Sequence, residues 1–165
     1  MYRIGYGNDI HRLAEGKRLI LGGIEIESDL GAVGHSDADA LTHAITDAIF
    51  GAIAEGDIGT HFSDGEERWK NAESFVFLRY AIGLAREKGF AVENVDSTVN
   101  LERPKLRPYI DRMRASLAVA LEVEVGRVSV KAKTGEGVGE VGTRQAIRAE
   151  AVVLLKKFEI DNLAG

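Results

Sequence analysis

The sequence contains no cysteine and only two prolines among its 165 residues. The lack of cysteine excludes disulfide bonds, thiolate zinc sites and cysteine nucleophiles, so any metal ion must be held by histidine, aspartate or glutamate. Acidic residues outnumber basic ones by 26 to 21, and the basic residues form no block. This charge pattern disfavours a nucleic-acid partner or an anionic membrane surface, although it is compatible with a local phosphate site.

Long apolar runs are also missing. No stretch reaches the roughly 18 apolar residues of a transmembrane helix, and MYRIGYGNDIH at positions 1–11 lacks the basic-then-apolar order of a signal peptide. We therefore predict a cytoplasmic location and no membrane partner. With 45% hydrophobic residues the chain can bury one core but is short for two, which predicts a single domain over residues 1–165.

The spacing of the apolar residues predicts an α/β domain of the α+β type. Strand patterns occupy residues 2–11, 91–101, 127–134 and 146–157, and a hairpin pattern occupies RLILGGIEIES at 18–28. Helical patterns begin near Ser36, Ser74 and Pro108, and the two serines are candidate N-caps. The predicted order is β-α-α-β-α-β-β, in one layered domain with a mixed sheet and helices on one face.

Asp9, His11 and His43 form a candidate metal site. Asp9 and His11 are two positions apart on a predicted strand, so both side chains point to one face, and His43 on the first predicted helix can complete the set. One carboxylate and two imidazoles leave a position for water or a substrate oxygen, as catalytic zinc sites require. Alternatively, His43 lies with Asp39 and Asp47 on a solvated polar face of the helix. The spacing alone leaves both interpretations open.

Two further segments could contact phosphates. Gly137-Val-Gly139-Glu-Val-Gly142 matches G-x-G-x-x-G, but the residues after it have a strand pattern, whereas a dinucleotide-binding fold needs a helix there. A glutamate in this loop could hold Mg²⁺ or Mn²⁺ on a phosphate, or the loop is plain surface. Lys105, beside a proline and near a helix start, suits a phosphate or is a solvated loop charge.

Eight segments in register resemble the 2-C-methyl-D-erythritol 2,4-cyclodiphosphate synthase family over nearly the whole chain. They are RIGYGNDIHRL, LGGIEI, GHSDADALTHAITDAIFGA, GDIGTHFSD, RWKNAES, NVDSTV, RPKLRPYIDRMR and VKAKTGE. The resemblance implies a lyase that converts 4-diphosphocytidyl-2-C-methyl-D-erythritol 2-phosphate to the cyclic diphosphate and CMP, in non-mevalonate isoprenoid precursor synthesis. It also implies a small-molecule cytidine diphosphate substrate and a homotrimer with active sites between subunits.

The resemblance further implies roles for individual residues. Zn²⁺ would be held by Asp9, His11 and His43, and a second divalent ion, Mg²⁺ or Mn²⁺, by Glu136. His35 and Thr134 would stabilise the transition state. The substrate would be bound by Ser36, Asp57, Gly59, Phe62, Asp64, Pro104, Lys105, Leu106, Lys133 and Glu136.

The chain departs from the family at three places. Ser63 replaces a common proline, Leu101-Glu102-Arg103 replaces small residues before Pro104, and GVGEVGTRQ at 137–145 replaces an apolar, arginine-bearing stretch. The last departure weakens the expectation of an apolar cavity or anion site on the trimer axis. Two other functions stay open from the residues alone: a zinc-dependent phosphoester hydrolase, and a non-enzymatic metal-dependent module that binds nucleotides.

Overall fold

The computed structural model describes residues 1–63 and 65–158. Its strands are β1 (Tyr2–Glu15), β2 (Leu19–Leu21), β3 (Ile24–Ile26), β4 (Leu30–Ala32), β5 (Phe90–Asn100), β6 (Val128–Lys133) and β7 (Ala146–Lys157). Its α-helices are α1 (Ala40–Ala52), α2 (Ile58–His61), α3 (Ser74–Glu87), α4 (Ile110–Leu121) and α5 (Gly139–Gly142). Over the described ranges, no helix is both long and apolar enough to span a bilayer.

A mixed sheet of order β4-β1-β7-β5-β6 forms the centre of the fold. Strands β5 and β6 are parallel, and the other neighbours are antiparallel. Strand β7 lies in the middle although it comes last in the chain, because it pairs with β1 on one side and β5 on the other. Strands β2 and β3 form the separate hairpin that the sequence predicts. The predicted α+β class and mixed sheet are confirmed.

Helix α1 packs directly on the backbone of β1, because glycines occupy the β1 positions that face the helix. A Cβ atom on Gly5 would lie 1.8 Å from the carbonyl oxygen of Ala48, and one on Gly7 would lie 2.1 Å from that of Ala44. Both alanines are fully buried. This close approach brings His43, next to Ala44, up to the side chains of β1.

The opposite face of β1 carries exposed apolar side chains. Tyr2, Ile4 and Tyr6 alternate with the buried glycines, so they project away from α1. They are 57%, 71% and 58% exposed, and Val152 on the neighbouring β7 is 38% exposed. Apolar side chains that cluster on one open sheet face are typical of a surface that contacts another protein.

Asp39 fixes the start of α1, three residues after the predicted N-cap Ser36. Its side chain is completely buried and accepts four hydrogen bonds of 2.7–3.0 Å, from the backbone N–H groups of Gly22, Gly23 and Thr42 and from the Thr42 hydroxyl. Burial raises the pKa of Asp39, and the four donors only partly oppose this effect. Asp39 therefore caps α1 and also ties the β2-β3 hairpin to it.

We expect Asp39→Asn to destabilise the fold. The amide nitrogen would replace one carboxylate oxygen and face two donors, which would then have no acceptor. Each buried unsatisfied group costs about 1–3 kcal/mol, so the free energy of unfolding should fall by roughly 2–5 kcal/mol in a denaturant titration. Asp96→Asn removes an exposed contact to Lys131 and is the matched control, with an expected change within about 1 kcal/mol. Equal losses in the two variants would contradict this account of Asp39.

The start of α3 and the glycine-rich loop differ from what their sequence motifs would suggest. Ser74 is the first residue of α3 and not its N-cap, which is Glu73, so the Ser74 hydroxyl makes other contacts. The G-x-G-x-x-G segment forms a turn and the four-residue α5, and β7 follows. The prediction that this segment does not begin a dinucleotide-binding helix is confirmed.

Candidate metal and substrate site

Three potential metal ligands meet where α1 crosses β1. Asp9 Oδ2 lies 2.8 Å from His11 Nε2 and 3.0 Å from His43 Nδ1, and the two ring nitrogens are 3.3 Å apart. Ligands about 2.0–2.2 Å from a tetrahedral zinc ion are separated from one another by roughly 3.3–3.6 Å. The donor atoms of Asp9, His11 and His43 are thus already nearly as far apart as an ion requires. Both their chemistry and their spacing fit a three-ligand metal site.

These three side chains also perturb one another electrostatically. Burial works to raise the pKa of Asp9, but hydrogen bonds and charge interactions with His11 and His43 outweigh burial and lower that pKa strongly. Burial works to lower the pKa of His11, yet Asp9 raises it overall. Asp9 is therefore ionised at neutral pH, as a metal ligand must be. A metal ion here competes with the proton that Asp9 stabilises on His11.

The polar side of α1 is not solvated, so the alternative interpretation of His43 is wrong. His43 is 9% exposed and Asp39 is wholly buried. Asp47, one turn after His43, is half-buried and accepts the backbone N–H of Ile58 at 2.7 Å. Burial raises the pKa of Asp47. Asp39, His43 and Asp47 thus face the hairpin, β1 and the start of α2, where each has a specific partner.

Contacts behind the two histidines fix their ring orientations. His11 Nδ1 donates to the carbonyl of Val33 at 3.0 Å, which directs Nε2 toward Asp9. His43 Nε2 lies 2.8 Å from the Ser74 hydroxyl and 3.2 Å from the Ser36 hydroxyl, which directs Nδ1 toward Asp9. Outer contacts of this kind are typical of histidines that bind metal ions.

A cleft of about 310 Å³ opens in front of these ligands. Besides the three candidate ligands, its lining includes four other residues of the predicted site: His35, Ser36, Gly59 and Phe62. Asp57 is not among the lining residues; it caps α2 and accepts the backbone N–H and the hydroxyl of Thr60 at 2.9 and 2.8 Å, contacts that lower its pKa. Asp64 lies outside the described residues.

A second pocket, of about 330 Å³, contains most of the predicted nucleotide and phosphate residues. Its lining includes Lys105, Leu106, Lys133, Thr134 and Glu136. The Thr134 hydroxyl donates to Glu136 at 2.8 Å. Pro104 lies instead in a neighbouring open depression with Arg103 and Tyr109. Most of this predicted group is thus brought together by the loops after β5 and β6.

The cleft lies at β1 and the second pocket at β6, three strand positions apart in the sheet. One row of backbone pairs runs from Asp9 through Ala149 and Val99 to Ala132. Three steps between strands, each about 4.8 Å, correspond to roughly 14 Å. Within one chain, therefore, the metal-site residues converge and most of the nucleotide-site residues converge, but the two groups do not meet.

The sequence did not predict the site contacts of two residues, Ser74 and Glu102. Ser74 contacts His43, although a serine at a helix start is most simply interpreted as a cap. Glu102 accepts the backbone N–H of Gly135 at 2.9 Å and so connects the two loops of the second pocket. No local pattern marks either contact, because each joins residues about thirty positions apart that only the tertiary fold brings together.

Known proteins match this chain over almost all its length. The YgbB family profile matches residues 2–156. A bifunctional IspD/IspF enzyme of Albidiferax ferrireducens is 57% identical over 157 residues; the match covers 95% of this chain, which spans 38% of that enzyme. The 2-C-methyl-D-erythritol 2,4-cyclodiphosphate synthase of Solibacter usitatus is 54% identical over 155 residues, with 94% and 98% coverage of the two chains. A solved CDP-bound structure of such a synthase superimposes with a TM-score of 0.87 at 42% identity, covering 93% of this chain and all of that one.

Proposed function

This chain belongs to the YgbB family, and from that premise we propose that it converts 4-diphosphocytidyl-2-C-methyl-D-erythritol 2-phosphate to 2-C-methyl-D-erythritol 2,4-cyclodiphosphate and CMP. Such a lyase acts in isoprenoid precursor synthesis. The convergence of Asp9, His11 and His43 at a cleft carries the proposal. We further propose that the chain acts as one domain over residues 1–165, in the cytoplasm.

The proposed reaction requires no protein nucleophile. An oxygen of the 2-phosphate attacks the β-phosphorus of the same molecule; the new P–O bond closes the ring, and the P–O bond to CMP breaks. The barrier then depends on folding the flexible substrate so that the attacking oxygen, phosphorus and leaving oxygen are in line, and on spreading negative charge. The absence of cysteine from the sequence agrees with this chemistry.

We propose that Asp9, His11 and His43 hold Zn²⁺ and that Glu136 holds Mg²⁺ or Mn²⁺. Bound metal ions would supply Lewis-acid stabilisation of phosphate oxygens. Asp9 suits a cation because its pKa is lowered, and the ring orientations of both histidines present one nitrogen each to Asp9. Glu136 is exposed in the second pocket beside the Thr134 hydroxyl, where its carboxylate can reach a ligand.

The other predicted residues would bind and orient the substrate. Ser36, Gly59 and Phe62 line the cleft at the metal ligands and suit the methylerythritol phosphate end. His35 donates Nε2–H to the Glu66 carbonyl, so its Nδ1 can donate to a phosphate oxygen only when the ring is protonated. We assign Asp57 and Asp64 to the same end of the substrate.

The nucleotide end would occupy the second pocket. Lys105 and Lys133 provide two positive charges for the diphosphate, and Leu106 provides an apolar wall for the base. Thr134 would donate to a phosphoryl oxygen in the transition state, once its hydroxyl proton has turned from Glu136 to the substrate. Pro104 lies on the adjoining depression and would shape the cytidine site through Lys105, which lines both.

We propose that each complete active site forms between two subunits of a homotrimer. His35 and Thr134, which must act on one substrate, lie in two pockets whose lining residues Asp9 and Ala132 are about 14 Å apart across the sheet of one chain. A second copy could bring its nucleotide pocket to the metal site of the first. The exposed Tyr2, Ile4 and Tyr6 provide an apolar surface for such assembly.

Mixing two inactive variants should restore activity if sites are shared. His43→Ala disables the metal half-site and Thr134→Ala the nucleotide half-site. If equal amounts of the two variants assemble at random, about a quarter of all sites contain two intact halves. The mixture should therefore show about a quarter of the wild-type activity per site. The unmixed variants, treated identically, are the controls. A mixture as inactive as its components would place both halves in one chain.

Phosphorus NMR of the purified protein with this substrate, Zn²⁺ and Mg²⁺ tests the proposed reaction. We expect coupled resonances of a cyclic diphosphate together with CMP, and no such products after treatment with a chelator. Inorganic phosphate or an open-chain diphosphate would identify a hydrolase instead. An unchanged spectrum from metal-loaded protein that still binds CDP would identify a binding module.

A further inference from the structure

A short chain of side chains leads from His43 away from the metal ligands. The Ser74 hydroxyl lies 2.8 Å from His43 Nε2 and also contacts Asp37 Oδ1. Asp37 is anchored in turn, because its Oδ2 accepts the Ser74 backbone N–H at 3.0 Å and its Oδ1 accepts that of Asp39 at 3.2 Å. Ser74 is completely buried and His43 nearly so. These contacts therefore act largely without competition from water.

The chemistry of the groups sets the direction of each hydrogen bond. A carboxylate only accepts, so the Ser74 hydroxyl donates its single proton to Asp37. The Ser74 oxygen can then only accept from His43, which places the ring proton on Nε2. The lone pair of the neutral ring is thereby left on Nδ1, the atom that lies 3.0 Å from Asp9 Oδ2.

We propose that Ser74 and Asp37 are positioning residues that hold His43 in the tautomer able to bind a metal ion through Nδ1. The proposal rests on the proposed metal site. Ser36 is a weaker candidate for this role, since its hydroxyl is farther from His43 Nε2, at 3.2 Å, and lines the cleft. Because Asp37 also receives the first N–H of α3, the same contacts couple the position of α3 to the metal site.

The proposal is tested by the Zn²⁺ affinity of wild-type protein and three variants, measured by competition with a chromophoric chelator. Ser74→Ala removes the acceptor for Nε2–H, and Asp37→Asn leaves fewer acceptors for the Ser74 hydroxyl. Both should weaken Zn²⁺ binding by about 10–100-fold, the range for outer-shell changes. Ser97→Ala is the matched control: it removes a buried hydroxyl that donates to Ser129 O at 2.8 Å, far from the histidines. Its affinity should stay within about twofold of wild type.

NMR of ¹⁵N-histidine in the zinc-loaded protein supplies a readout that a purely structural role would not change. The His43 Nε2–H signal should be deshielded and slow to exchange in wild type. It should shift and exchange faster in Ser74→Ala. It should also shift in Asp37→Asn, although Asp37 does not touch the ring. The wild-type spectrum alone decides the tautomer if a variant fails to fold.

The outcomes distinguish a failure of the positioning role from a failure of the proposed metal site. Unchanged Zn²⁺ affinity and an unchanged Nε2–H signal in folded Ser74→Ala would overturn the positioning role while leaving the metal site in place. A wild-type protein that binds no Zn²⁺ would overturn both. Wild-type zinc bound with Nδ1 of His43 protonated would also overturn the proposed role.

Discussion

His43→Ala should lose bound zinc and lower turnover by at least about a thousandfold, the range of effect expected when a metal that stabilises transition-state charge is removed. Two ligands, Asp9 and His11, would remain, and they do not suffice for a stable site at neutral pH. The fold should persist because alanine favours the interior of α1 and no backbone contact depends on the imidazole. Metal analysis after dialysis, activity and thermal unfolding measure the three quantities.

His61→Ala is the matched control for that experiment. His61 stacks on Phe50 with ring centroids 4.3 Å apart and contacts the Glu55 carbonyl, so the variant also removes a partly buried imidazole, but not one of the metal ligands. It should keep the zinc stoichiometry of wild type even if it loses some stability. Retained zinc and activity in His43→Ala would contradict the proposed metal site, whereas zinc loss in both variants would indicate unfolding.

Gly5→Ala should strongly destabilise the fold. The added Cβ would lie 1.8 Å from Ala48 O and 2.8 Å from the backbone nitrogen of Ala52. Backbone atoms of a helix cannot move aside singly, so all of α1 must shift away from β1. Overpacking of a core by one methyl group typically costs 1–3 kcal/mol; a collision with backbone on this scale should cost about 3 kcal/mol or more.

Gly51→Ala provides the control for Gly5→Ala. Gly51 lies on α1 itself, and an added Cβ would have Tyr6 O at 3.7 Å as its nearest neighbour, an ordinary contact. Because alanine is favoured over glycine in a helix by up to about 1 kcal/mol, this variant should be as stable as wild type or more stable. Denaturant titration compares the two variants directly. A stable Gly5→Ala protein would contradict the close packing of α1 on β1.

Local sequence patterns were sufficient to predict most of the elements and to mark Asp9, His11 and His43 as a candidate metal site, a role that stays a prediction. Alternation along β1 places Asp9 and His11 on one face, and the helical period of α1 separates His43 from its apolar stripe. The same helical wheel could not show that Asp39 is buried, because its partners, the amides of Gly22 and Gly23, come from a hairpin whose packing has no local signature. The contact between Ser74 and His43 has no local signature either.

Strand order was the other unpredictable feature. Local periodicity indicates that residues 146–157 form a strand, but not that this strand lies between β1 and β5. The separation of the metal ligands from Lys133 and Thr134 follows from that placement alone, so no inspection of spacing could reveal it. The roles of the individual site residues and the homotrimer stay predictions.

The central position of β7 makes the sheet depend on a strand that is synthesised after the other strands of that sheet. Tyr2 pairs with Lys156, so β1 has no long partner until the ribosome has synthesised β7. Until then, only the ladders β1-β4 and β5-β6 of the five-stranded sheet can form, and two-stranded ladders are marginal in water. Long-range pairing of this kind is slow to form. A premature stop before Ala146 would therefore not remove an edge strand; it would leave a nascent protein in which no strand joins β1 to β5, and which is a substrate for chaperones and proteases.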